Sequence, residues 1–241
     1  MSDSQEELFI FIADISGYTK FMLSNQMAYS HGILAITELM GTLVKEIDLP
    51  MKISKLEGDA ILFYLLKKDV SEIEVLGKKL LMLISLFSTK VEEMQTDNAC
   101  TCGGCANIDK LDLKIITHFG KASIVSIGAF NELTGVDVIL PHRLLKNRAE
   151  GHRYILLTEQ AAKQISFPED VKIVRQIEDV ADMGKVPVTI CYPLIEEVVL
   201  IERKNSLFRD LKSHFKLFVG GLLLKSKLKK PAPFRNLPPS P

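Results

Sequence analysis

Two aspartates stand where a carboxylate packs poorly. Asp14 ends the apolar run Phe9-Ile10-Phe11-Ile12-Ala13 and is followed by Ile15-Ser16-Gly17-Tyr18-Thr19. Asp59 follows Gly58, between the runs 51–56 and 60–66. An unpartnered charge at the end of a buried strand costs on the order of several kcal/mol. Two hard oxygen donors of this kind suit Mg²⁺ held against a phosphate. Asp14 also fits a second role, as the N-cap of the helix that follows it. A separate set of donors, Cys100-Thr101-Cys102-Gly103-Gly104-Cys105, places three thiols on a glycine-rich turn. Such a turn suits Zn²⁺ if a fourth ligand is supplied by Cys191, a His, a carboxylate or a second subunit. Without one, it is a loop of reduced or redox-sensitive thiols.

These residues depend on the elements around them. Leu8–Ala13 reads as a strand buried on both faces. From Gly17 to about Ile47 the residues Phe21, Leu34, Leu39, Leu43 and Val44 recur at helical spacing, and Pro50 closes the segment. Residues 51–56 and 60–66 read as a hairpin around Glu57-Gly58-Asp59. A long helix follows over about 70–94, with Ile73, Leu76, Leu80, Leu83, Ile84 and Phe87 as its apolar stripe. Residues 96–107 form the polar, Cys-rich loop. Residues 111–118 and 121–127 read as a second hairpin about Gly120, and 137–148 as a helix that contains Pro141. Strands at 154–158, 171–177 and 186–194 complete the pattern, the last interrupted by Pro187. The order, approximately βαββαββαβαβ, predicts an α+β fold with a mixed sheet and helices on one face.

Composition narrows the class of protein. The 241 residues are enough for one sizeable core, and 47% hydrophobic with 25% charged content is ordinary for a globular chain. The net charge is zero, yet residues 196–241 hold ten Lys/Arg against four Asp/Glu. Two domains follow: 1–195, and a basic amphipathic helical extension with a Pro-rich tail over 196–241. In that extension Leu207, Phe208, Leu211, Phe215, Phe218 and Leu222 share one side, and Lys225, Lys227, Lys229 and Lys230 follow. The helix either packs on its own domain or dimer, or lies on a partner or an anionic membrane as a peripheral contact. No transmembrane run or signal peptide is visible, and the closely spaced cysteines fit a reducing, cytoplasmic setting. The lack of a basic surface outside the tail argues against nucleic-acid binding.

Five segments, in order across residues 8–194, resemble the class III adenylate/guanylate cyclase family. Phe11-Ile12-Ala13-Asp14-Ile15-Ser16-Gly17-Tyr18-Thr19 is similar to its first metal motif, and Lys55-Leu56-Glu57-Gly58-Asp59-Ala60 to its second. His118-Phe119-Gly120, with Ile127-Gly128, resembles the family's His-x-Gly…Ile-Gly hairpin. Gly135 through Leu144 resembles its Gly-x-x-Val-Asn-x-Ala-x-Arg-Leu helix, and Asp182–Val188 its closing turn and strand. The Cys-rich insertion marks a divergent member.

The resemblance implies a ferredoxin-like cyclase fold, a head-to-tail homodimer and conversion of ATP to cyclic AMP and pyrophosphate, a lyase reaction. It implies Mg²⁺ or Mn²⁺ on Asp14 and Asp59, with help from the Ile15 carbonyl. Gly17, Tyr18 and Thr19 would offer N–H groups to phosphate. Lys55 and Glu132 would read adenine, and Arg143 would stabilise charge on the transferring phosphoryl. His118 reads better as a satisfied hairpin histidine than as a ligand or base. The chain also departs from the pattern. Ile139 stands where the family has Asn, Pro141 replaces a small helix former, and the loop 128–135 is shortened. Loss of one orienting polar group costs on the order of 10²–10³ in rate. The resemblance therefore also supports a second reading, a catalytically inactive cyclase-homology module in nucleotide, metal or redox signalling. Arg143 also has the alternative of pairing with an acid on its own helix.

Overall fold

The computed structural model describes residues 5–24, 29–47, 50–69, 73–96, 105–128 and 130–193. Its elements are β1 (Glu6–Ser16), α1 (Tyr18–Ser24), α2 (Tyr29–Glu46), β2 (Lys52–Glu57), β3 (Ala60–Leu66), α3 (Ile73–Thr96), β4 (Asp112–Ile127), β5 (Phe130–Thr134), α4 (Val136–Leu144), β6 (Tyr154–Thr158), α5 (Glu159–Ala162), β7 (Lys172–Val180) and β8 (Gly184–Tyr192). One mixed sheet runs in the order β2-β3-β1-β4-β6-β8-β7, with β5 paired to β4. The β4–β6 pair is parallel and the other pairs are antiparallel.

β1 sorts its side chains by the two-residue period of a strand. Phe9, Phe11, Ala13 and Ile15 enter a core with Phe21, Leu39, Leu43, Leu80, Leu83 and Phe87 of the long helices. Leu8, Ile10 and Ile12 enter a second core with Val138 and Leu144 of α4. The long helices thus share one face, and short α4 covers part of the other. This is the α+β architecture expected, with a mixed sheet.

Several local expectations change. The segment after Gly17 is two helices, and its buried stripe is Ile36, Leu39, Met40, Leu43 and Ile47, whereas Leu34 is out of phase and exposed. Residues 111–127 do not form a hairpin at Gly120. β4 is one continuous strand of 16 residues, paired with β1 from Asp112 to Ala122. Gly120 serves close approach rather than a turn, because a Cβ there would collide with the Asp137 carboxylate. The turn lies at Gly128 (φ +62°), and β5 is the returning strand. α4 stops at Leu144, short of Arg148. The Asn147 side chain there donates to the Leu144 carbonyl at 2.8 Å and bonds the Tyr154 hydroxyl at 2.9 Å. Pro187 does not interrupt β8: it lies one residue beyond the last β6 partner, Thr158↔Val188. Cys100, Cys102 and the extension 196–241 lie outside the described residues, and the expectations for the thiol loop and the basic helix lie there with them. The backbone of Cys105 begins a 3₁₀ turn, Cys105–Lys110.

Two helix glycines separate propensity from packing. Nothing lies within 4 Å of a Cβ built on Gly41 in α2. One built on Gly77 in α3 runs into the Ser166 carbonyl oxygen, backbone that cannot swing aside. Gly41→Ala should stabilise by about 0.5–1 kcal/mol through helix propensity. Gly77→Ala gains the same propensity yet should destabilise by about 2 kcal/mol or more through overpacking. Urea unfolding of both variants checks the pair, and a stabilised Gly77→Ala chain would contradict the packing of α3 on residues 165–166.

Candidate functional site

The two aspartates converge. Asp14, near the end of β1, pairs across the sheet with Ala60, the residue after Asp59. The Ile15 N–H donates to the Asp59 carbonyl at 3.1 Å, tying the end of β1 to the β2–β3 turn. That turn needs Gly58 in the left-handed region (φ +69°). Burial and the nearby Asp14 charge push the Asp59 carboxyl above its ordinary range. Asp14 is itself held by a residue that the sequence pattern did not single out. Lys114 of β4, its cross-strand partner, places Nζ 3.1 Å from Asp14 Oδ2 and donates to the Leu145 carbonyl at 3.1 Å. Gly17 (φ +86°) makes the bend into α1, where a Cβ would sit 2.7 Å from the Lys110 carbonyl oxygen. Tyr18 and Thr19 form the first turn of that seven-residue helix.

The other candidate residues meet in a second place. An open pocket of about 500 Å³ is lined by Lys55, Glu57, Glu132, Ile139, His142 and Arg143 over an apolar floor of Leu62, Leu133 and Val138. Neither aspartate lines it. Lys55 Nζ lies 3.6 Å from Glu132 and 3.7 Å from Glu57. β5, paired in register with β4, carries Glu132 to this point despite the short loop. His142 Nε2 lies 3.1 Å from Glu57, with Nδ1 2.8 Å from the Val138 carbonyl. Arg143 reaches Asp182 at 3.8 Å, an acid of the β7–β8 turn rather than of its own helix. Ile139 is 49% exposed, an apolar group at the pocket wall.

His118 is buried, with Nδ1 2.8 Å from the Thr158 hydroxyl and Nε2 3.5 Å from Asp137, at the limit of hydrogen-bond reach. Burial pushes its pKa down. It therefore ties β4 to β6 through Thr158, while its Nε2 is buried without a hydrogen-bond partner among the described residues. Lys114, Glu57, His142 and Asp182 are the participants sequence reasoning missed. His142 precedes Arg143, which was a usable signal, whereas Lys114 is identified only by its register opposite Asp14.

The donor set at the end of β1 is made of hard oxygen ligands. Asp59 is pushed toward protonation by burial first and by the Asp14 charge second, and Lys114 supplies positive charge to Asp14. Asp14 and Asp59 therefore fit one hard cation. Among the described residues no group of three or more His, Cys, Asp or Glu is arranged to hold a metal, and no helix is long and apolar enough to cross a membrane.

Comparison with known proteins places this geometry. The profile of a family described as "Protein of unknown function (DUF2652)" matches residues 36–154. An uncharacterized protein of Mycobacterium tuberculosis is 34% identical over 113 residues, 47% of this chain and 52% of the relative. The match thus spans about half the length of that relative. Among solved structures, the adenylyl cyclase CyaB from P. aeruginosa is similar over 79% of this chain and 96% of its own, with TM-score 0.58 and 15% identity. The guanylate cyclase domain of RhGC from Catenaria anguillulae, in complex with GTP, is similar over 77% and 96%, with TM-score 0.56 and 14% identity. Adenylate cyclases from Trypanosoma brucei in their monomeric state are similar over 77% and 88%, with TM-score 0.54 and 11% identity. The chain has the class III nucleotidyl-cyclase fold.

The raised Asp59 pKa has a defined sign. A carboxyl raised in the folded state contributes stability below its unfolded pKa, near ~3.9, which is lost as pH rises through the folded value. In metal-free protein, Asp59→Asn should melt above wild type at pH 7, with the gap closing as pH falls toward ~4. Thermal melts in chelator across that range check this, and a lower melting point for the variant at pH 7 would refute it.

Proposed function

We propose that this protein is a nucleotide-binding cyclase-homology module that signals through dimerisation and has kept binding while losing efficient turnover. The observation that carries this reading is Ile139. It lines the pocket that holds Lys55, Glu132 and Arg143, at the position where the cyclase resemblance calls for a polar group. A branched aliphatic side chain cannot donate to ribose or phosphate, so the transition state lacks an orienting hydrogen bond. On this reading Lys55 and Glu132 read the base edge of ATP or a related nucleotide, one donating and one accepting. Gly17, Tyr18 and Thr19 lie by the phosphates. In a head-to-tail homodimer, Arg143 faces the phosphates of a nucleotide carried by the partner subunit's Asp14 and the partner subunit's Asp59. Mg²⁺ or Mn²⁺, when bound on the aspartates, supplies charge neutralisation for the triphosphate. We assign this module to residues 1–195 and the basic extension to 196–241, in a cytoplasmic setting. Zn²⁺ on Cys100, Cys102 and Cys105 belongs to the same proposal as a separate, redox- or metal-linked input.

A second reading, metal-dependent conversion of ATP to cyclic AMP, is favoured by the convergence of Asp14 and Asp59. One set of measurements separates the two. Purified protein should bind a non-hydrolysable ATP analogue with Mn²⁺ by calorimetry, and Lys55→Met should weaken that binding about tenfold. Cyclic AMP from ATP and Mn²⁺ should stay near background and rise on Ile139→Asn, by up to about 10². Rapid wild-type turnover that Asp59→Ala abolishes would establish the enzyme reading instead. A well-folded dimer that binds no nucleotide would refute both.

A further inference from the structure

Lys114 belongs to a row that crosses four strands on one face of the sheet. Ala60 of β3 is in register with Asp14 of β1, Asp14 with Lys114 of β4, and Lys114 with Tyr154 of β6. The Asp14 and Lys114 side chains are each only 17% exposed, and their charged atoms are 3.1 Å apart. The ammonium is held from a second side by the Leu145 carbonyl, just past the end of α4. The phenol of Tyr154 is engaged with Asn147, so it leaves the ammonium to Asp14 and Leu145. A half-buried ion pair with a second hydrogen bond is a fixed charge, unlike the exposed pairs of the neighbouring pocket. Asp59 stands beside it: its carbonyl accepts the Ile15 N–H at 3.1 Å, and the next residue, Ala60, is in register with Asp14.

We infer that Lys114 is the resident counter-cation of the Asp14/Asp59 pair, so that this site takes one divalent cation where the bare pair would take two. The inference rests on the proposed metal role of the two aspartates and adds the residue that sets its stoichiometry. With Lys114 in place the three side chains sum to a single negative charge. One divalent ion on Asp59 and the remaining oxygen of Asp14 already overcompensates it. A second ion would have to displace the ammonium from Asp14 or lie against it, and like charges at such range repel strongly even in a polar medium. Lys114 acts through Asp14 and is a positioning residue.

The test counts Mn²⁺ on the full, nucleotide-free chain by the electron paramagnetic resonance signal of the free ion. Wild type should bind one Mn²⁺ per chain, and Asp59→Asn should lose it. Lys114→Gln, whose amide still donates to Leu145, should bind Mn²⁺ about tenfold more tightly or better and take up a second, spin-coupled ion. Lys114→Arg should keep the wild-type count. Two ions on wild type overturn the inference, as does a Lys114→Gln chain with unchanged affinity and count. The wild-type count needs no variant, so it decides even if Lys114→Gln fails to fold. Absence of Mn²⁺ from every chain overturns the metal reading of the aspartates together with this inference. Binding by Lys114→Gln alone overturns only the native metal reading and supports the counter-cation.

Discussion

Everything at the candidate site depends on the register of β1. It is hydrogen-bonded on both sides, to β3 from Leu8 to Asp14 and to β4 from Glu6 to Ser16. Its side chains enter two different cores, so a slip of one residue would exchange the faces of every apolar group on it. The same register sets Asp14 beside Ala60 and opposite Lys114. Packing energy spread over the length of β1 is therefore what holds a carboxylate, its counter-charge and a second carboxylate together at the strand's end. The charges do not organise the sheet; the sheet imposes their proximity, and the raised pKa of Asp59 records the cost.

α4 is the second constraint. It lies on the face opposite the long helices and carries Ile139, His142 and Arg143 along nine residues. Its start is set by Asp137, whose carboxylate accepts the Lys121 N–H at 2.6 Å where Gly120 leaves room. Its end is set by Asn147 on the Leu144 carbonyl and by Lys114 on the Leu145 carbonyl. Lys114 thus touches both Asp14 and the residue that follows the helix bearing Arg143. A change in the charge around Asp14 has a direct mechanical route to α4, through one side chain with two partners.

Much of this was legible in the sequence, for identifiable reasons. The continuous apolar run of β1 and the stripe Leu76-Leu80-Leu83-Ile84-Phe87 are long, strongly periodic signals, and both elements form. The pairing of Lys55 with Glu132 is placed by motif spacing, and the geometry brings the two within 3.6 Å. Gly120 was misread because a glycine in a strand marks either a turn or a close approach, and only the position of Asp137 separates the two. Leu34 was misread because α1 and α2 are separate elements, and a period carried from Phe21 of the first does not fix the phase of the second. Lys114 was invisible for a deeper reason. Its role comes from a neighbour 100 positions away in sequence, brought alongside by strand pairing.

The polar groups of the pocket are linked to one another. Glu132, Lys55, Glu57 and His142 form a chain of alternating partners at 3.6, 3.7 and 3.1 Å. Lys55 and the two glutamates are a third to a half exposed, so each contact is weak and easily exchanged for another. A ligand of one charge would satisfy some of these groups and strand the rest. On the proposed reading, a flat heterocycle with adjacent donors and acceptors would replace the internal contacts pair by pair, with Leu62, Leu133 and Val138 as an apolar floor beneath it. A triphosphate would, on the same reading, reach toward Arg143 past Ile139, an apolar residue of the pocket wall. Recognition and reaction would then separate at one residue: Lys55 and Glu132 would serve the base edge, and the sugar that would have to be aligned for attack would meet the hydrocarbon of Ile139.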